Sequence, residues 1–190
     1  VQTPRGPILA GLILLWLAAR IAALIAPYPV YAAIDMLLLP AAAFFLLRVL
    51  IKAQNKRNIP LISLLVLMAI ANAAFHLSVS GLINANPMTA LHAELALIIM
   101  VIAVMAGRVV PMFTQNVTPG LKIAMPRRFE MTLLAITAIA LALWTFSAPA
   151  TLVLIACLIA GTLHAVRLWM WCPWVTVKRP ILWILHAAYA

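Results

Sequence analysis

The chain has 190 residues, of which 67% are hydrophobic and 8% charged, and its mean hydropathy is +1.17. A soluble domain carries about 25% charged residues, and disorder needs low hydrophobicity, so both classes are excluded. The net charge of +10, from 13 Lys/Arg against 3 Asp/Glu, sits in short loops between apolar runs. That distribution marks membrane orientation rather than a nucleic-acid footprint.

Taken in chain order, the apolar runs predict an all-α, polytopic transmembrane helix bundle forming a single domain over 1–190. Six full spans fall at about 7–26, 30–51, 60–79, 89–112, 128–147 and 150–171, and a truncated one at 180–190. Prolines punctuate the ends: Pro7, Pro27, Pro29, Pro60, Pro87, Pro126, Pro149 and Pro180. Pro40 and Pro111 fall within spans, where kinks are expected. The chain begins at Val1 and stops inside the run 181–190, about half of a bilayer crossing. An internal stretch of a longer membrane protein is therefore expected, with no cleavable leader at its start.

The loops set the orientation. Residues 27–29, 80–88 and 148–149 carry no Lys or Arg. The other side collects Arg5, Arg48, Lys52, Lys56, Arg57, Arg108, Lys122, Arg127, Arg128, Arg167, Lys178 and Arg179. By the positive-inside rule, loops 52–59, 113–127 and 172–179 are cytoplasmic. Trp144 at one face and Trp169, Trp171 and Trp174 at the other fit aromatic belts.

The remaining basic residue, Arg20, lies inside the first span, and Asp35 inside the second. At 1.5 Å per residue both sit about 9 Å from the outer boundary, where pairing avoids the cost of a lone charge. The pair serves either as a hairpin staple or in a site. Met68, Asn72 and His76 share one face of the third span at i, i+4, i+8. Met88 and His92 share a face of the fourth, with Glu94 slightly deeper. Arg20, Asp35, His76, His92 and Glu94 thus make an outer polar layer drawn from four spans. Imidazole with thioether suits copper or haem iron; the bland alternative is core methionine and hydrogen-bonded histidine.

Nearer the cytoplasmic side, His164 and His186 lie at matching depth on adjacent spans, as two axial ligands of a haem would. Gly161, one turn earlier, admits either a flat macrocycle or ordinary close helix packing. The stretch Gly107-Arg108-Val-Val-Pro111-Met-Phe-Thr114 closes the fourth span. Its Arg108 either snorkels or pairs with an anion such as a propionate, and its threonine can cap freed carbonyls. Phosphate loops, HExxH, CxxC and Gly-x-Ser-x-Gly are absent from the sequence, as is any disulfide framework: the two cysteines, Cys157 and Cys172, are expected as free thiols.

Three segments carry a family resemblance: GRVVPMFTQNVTPG (107–120), NKRNIPLISLLVLMAIANAAFHL (55–77) and HAVRLWMWCPWVTVKRPILWILHAAYA (164–190). Together they resemble the NnrS family, in order and spacing along most of the chain. The resemblance implies a bacterial inner-membrane protein of about twelve helices that contains haem and copper. It also implies a link to nitric oxide metabolism or protection from nitrosative stress, with nitric oxide as ligand and membrane lipid as surroundings. His76, His164 and His186 match family histidines, and Gly107, Arg108, Pro111 and Thr114 match the central motif. Candidate ligands are then His76, His92, His164 and His186, with Met68 and Met88 as soft contacts and Arg20, Asp35, Glu94 and Arg108 as charge partners. Turnover and simple binding both stay open. The runner-up expectation is a secondary transporter or ion pathway lined by the outer polar layer; a purely structural subunit is the third.

Overall fold

The computed structural model describes residues 6–55 and 58–190. Arg5, Lys56 and Arg57, expected on the cytoplasmic side, lie outside the described residues. Among the described residues seven α-helices follow in order: α1 Pro7–Ile25, α2 Tyr28–Lys52, α3 Ile59–Val79, α4 Pro87–Val117, α5 Arg127–Thr145, α6 Ala150–Met170 and α7 Pro180–Tyr189. A 3₁₀ turn, Pro173–Thr176, precedes α7. No strand occurs among the described residues, so the all-α reading holds. The helices α1 to α6 are long and apolar enough to cross a membrane.

The local chemistry explains the ends. Proline occupies the first or second position of α1, α2, α3 and α7, and the N-cap of α5 and α6. Its missing N–H is one that a helix start leaves unpaired anyway. At the other ends, Gly81 (φ 71°) turns the chain after α3, and Leu82 N–H reaches back to the Leu77 carbonyl at 3.0 Å. Gln54 and Ser147 do the same after α2 and α5, with Asn55 to Leu50 at 3.0 Å and Ala148 to Leu143 at 2.9 Å. These are six-to-one closures that satisfy the last carbonyls.

Both internal prolines stay inside their helices. The fourth helix runs past its expected end near 112 as far as Val117. Beyond Pro111 the Thr114 hydroxyl donates to the Val110 carbonyl at 2.9 Å and the Gln115 amide to the Pro111 carbonyl at 3.1 Å. Both bonds fall in the turn after the proline, whereas the bond it cannot make is the one to the Gly107 carbonyl.

The chain divides into two units, Val1–Leu97 and Ile98–Ala190, with the boundary inside α4. In the first, α2 packs against α1 and α3; in the second, α5 packs against α6, and α7 against the 3₁₀ turn. Alanine supplies most of the buried apolar positions, among them Ala19, Ala22, Ala32 and Ala71 in the first unit and Ala103, Ala140 and Ala160 in the second. Large residues such as Leu14, Leu24, Leu37, Ile102, Leu154 and Leu158 face outward. Small residues between helices and large ones outside is the packing expected in lipid, where backbones gain by close approach.

Candidate functional site

In the first unit, the polar residues of α1, α2 and α3 converge on one carboxylate. Arg20 donates to Asp35 Oδ1 at 2.5 Å, and Asn72 donates to Oδ2 at 3.1 Å. His76 Nε2 lies 3.3 Å from the same Oδ2. An ionised carboxylate only accepts, so this nitrogen carries the hydrogen. In the neutral ring Nδ1 then accepts from the Tyr28 hydroxyl at 3.0 Å. The imidazole is fully buried and boxed by Tyr31 and Phe75, each 5.3 Å away between ring centroids. The Arg20–Asp35 pairing expected from helix depth is thus present, and two further helical residues extend it.

This cluster forms part of the wall of a cavity of about 420 Å³, together with Met68 and Glu94. Met68, Asn72 and His76 share its lining, as their spacing on α3 predicts. His92 and Met88 are not in that wall; Met88 is exposed, while Leu91 and Glu94 are what α4 contributes. Glu94 Oε1 is buried there without a hydrogen-bond partner.

The second unit holds a polar chain of its own. Arg167, on α6, is entirely buried. It ion-pairs with Glu130 of α5 and donates to the Ala103 carbonyl of α4 at 2.9 Å and the Tyr189 hydroxyl of α7 at 2.9 Å. Its guanidinium also lies 5.0 Å from the centroid of the Trp171 ring. From Tyr189 the chain continues to His164 Nδ1, and from His164 Nε2 to Thr137 Oγ1 at 2.9 Å. Thr137 in turn donates to the Leu133 carbonyl at 2.8 Å. One direction satisfies every member when the ring is neutral: Arg167 to Tyr189, Tyr189 to Nδ1, Nε2–H to Thr137.

His186 is held differently. The Thr114 hydroxyl gives its hydrogen to Val110, so at 3.0 Å from His186 Nε2 it accepts. The neutral ring therefore has its lone pair on Nδ1, which is buried and without a partner. His164 and His186 thus have separate partners on separate helices, and of the two only His186 has a ring nitrogen without a partner. Gly161 borders a cavity of about 270 Å³ beside His164 and Tyr189, with open space where a Cβ would stand.

Several functional groups escape the sequence reading. Arg167 was expected as an inner-boundary charge, and Trp171 as a belt residue. Both are fully buried instead, the indole lying 4.6 Å from Tyr189 between centroids, while Trp169 and Trp174 remain exposed. Glu130, Thr137, Tyr28 and Tyr189 carried no motif. The signal was composition: in a chain with only three acids, Glu130 beside an apolar span needs a cation. Arg108, from the central motif, is half-buried, and Pro111 and Thr114 are buried.

Gly107 is explained by this cluster. A Cβ there would run into the Arg167 guanidinium and stand 2.6 Å from Glu130 Oε1. Gly107→Ala should therefore cost about 1–3 kcal/mol by overpacking. Gly161→Ala, which meets open space, should be neutral or stabilising by up to about 1 kcal/mol. Thermal unfolding of the two variants in one detergent checks the contrast.

Buried ionic networks within apolar membrane-spanning helices define the class: a polytopic α-helical membrane protein. The model of the NnrS family, described as NnrS protein, matches residues 1–190. The chain belongs to that family, as the three quoted segments indicated. No curated protein and no solved structure matches it.

Proposed function

We propose that the chain belongs to a haem- and copper-linked protein of the bacterial inner membrane that handles nitric oxide or limits nitrosative damage. In this reading the basic segments 52–59, 113–127 and 172–179, which include the adjoining helix ends, face the cytoplasm, and the chain is the middle part of a longer bundle. Family membership along all 190 residues supports it. The structural observation that carries the haem part is the buried, unpartnered Nδ1 of His186.

The donor set fits haem and copper unequally. A metal-bound histidine characteristically donates its other N–H to an oxygen, which fixes tautomer and ring orientation. Thr114 does this for His186, with its own hydrogen committed to Val110. His186 is thus the residue that would hold a haem iron, a metal that one protein imidazole suffices to bind. When bound, the haem supplies an iron centre able to take a small diatomic ligand such as nitric oxide. His76 and His164 have both ring nitrogens engaged. Copper finds no comparable seat: among the described residues no three of His, Cys, Asp and Glu gather as a metal-binding group.

Optical spectra of the purified protein, oxidised and dithionite-reduced, with metal analysis on the same sample, test the reading. A Soret band that shifts on adding nitric oxide, and is lost or displaced in His186→Ala, is the expected result. His164→Ala should leave the band in place. A colourless, metal-free protein from metal-replete cells overturns the haem reading. The polar cavity of the first unit would then favour the second one, a secondary transporter or ion pathway, which predicts solute flux in proteoliposomes.

A further inference from the structure

The cavity of the first unit is lined by two carboxylates and one arginine. Arg20 answers Asp35, whose two oxygens are filled by Arg20, Asn72 and His76. The second carboxylate on the wall, Glu94, has Oε1 buried without a partner. Arg20 is the one Arg or Lys of the wall, so none is left for Glu94. A lone carboxylate inside a span costs several kcal/mol, relieved either by a proton or by a countercharge.

The shape of the wall decides its kind. Asp35, His76 and Glu94 do not gather as a metal-binding group. They are spread round about 420 Å³, within the size range of small-molecule pockets. Three aromatic rings, Trp16, Tyr31 and Phe75, line the same space. Aromatic faces attract ammonium groups, and the attraction strengthens away from water. One carboxylate with an unpartnered oxygen, beside three aromatic rings, suits an organic cation better than a bare ion, which needs several converging oxygens.

We infer that this cavity is a binding site for a small organic monocation, an alkylammonium, seated between the Glu94 carboxylate and the aromatic wall. The inference does not rest on haem or copper. Glu94 supplies the carboxylate, Trp16 and Tyr31 the π faces, and the Arg20–Asp35 pair a polar floor that leaves Glu94 Oε1 for the ligand.

Equilibrium binding of radiolabelled tetramethylammonium to the purified full chain in detergent tests it. Saturable binding is expected, weakened about tenfold or more in Glu94→Gln and severalfold in Trp16→Leu, one lost interaction of about 1.4 kcal/mol being a factor of ten. On the unaltered protein, tert-butanol, an uncharged molecule of similar bulk, should fail to compete, a readout that needs no variant to fold. Absence of saturable binding overturns the inference. So does undiminished binding by a Glu94→Gln protein of unchanged helical content, or equal competition by tert-butanol. A colourless protein that still binds tetramethylammonium would sink the haem reading and leave this one standing.

Discussion

Glu130→Leu is expected to destabilise the protein more than Arg167→Met, although the two remove opposite halves of one ion pair. Arg167 is 0% exposed and fixed by four groups: Glu130, the Ala103 carbonyl, Tyr189 and the Trp171 ring. Taking away Glu130 leaves a guanidinium that cannot lose its proton in a site without water access. Leaving one charge of a buried pair unanswered costs about 3–5 kcal/mol. Arg167→Met leaves Glu130 instead, and its side chain is 26% exposed. That carboxylate can reach polar surroundings, so the loss should be nearer 2 kcal/mol, mainly from Tyr189 and the Ala103 carbonyl losing a donor. Replacing both together should recover part of the loss, since apolar substitution of a whole buried pair is often neutral. Unfolding of the three variants in mixed micelles gives the ranking. Equal losses for both single variants would mean that Arg167 finds another anion.

Asp35→Ala should be the most damaging single change in the first unit. Three donors on two other helices share this carboxylate, so its removal orphans Asn72 and His76 and frees Arg20. Each buried donor left unpaired costs about 1–3 kcal/mol, and the freed guanidinium adds to that. Arg20→Ala is expected to cost far less, about 1 kcal/mol, because its side chain is 49% exposed and Asp35 keeps two donors. Asp35→Asn should fall between, since an amide oxygen still accepts but carries no charge. The same unfolding assay separates the three. A larger loss in Arg20→Ala than in Asp35→Ala would show that the arginine, not the carboxylate, is the hub.

The two clusters differ in how far sequence could find them. Helix depth is linear in residue number, so Arg20 and Asp35 could be matched across a tight hairpin from counting alone. The i, i+4, i+8 spacing likewise put Met68, Asn72 and His76 on one face, and all three line the cavity. Arg167 and Glu130 defeated the same approach. Each lies near a span end, where a basic or acidic residue ordinarily meets the interface, and nothing local marks one as buried. Gly107 held the missing clue, but its meaning lies in a clash with a side chain 60 positions away. The matched depth of His164 and His186 was no guide to their partners. Depth fixes height in the membrane and leaves rotation about the helix axis free, so each ring turned to a different threonine.

What the sequence determined by itself follows from solvent and from local backbone chemistry. Long apolar runs must become helices in lipid because every backbone group has to be paired within its own segment. Proline then sets where they start, and the basic loops carry the expected orientation. Membership of the NnrS family was likewise legible, in motifs that survive as short strings of residues. Only the tertiary structure decided which polar atoms meet. It closed Asp35 with three donors, sealed Arg167 behind Gly107 and Trp171, and left Nδ1 of His186 and Oε1 of Glu94 without partners. Those outcomes turn on the rotation of each helix and on ångström-scale packing between residues far apart in the chain, quantities that periodicity does not encode.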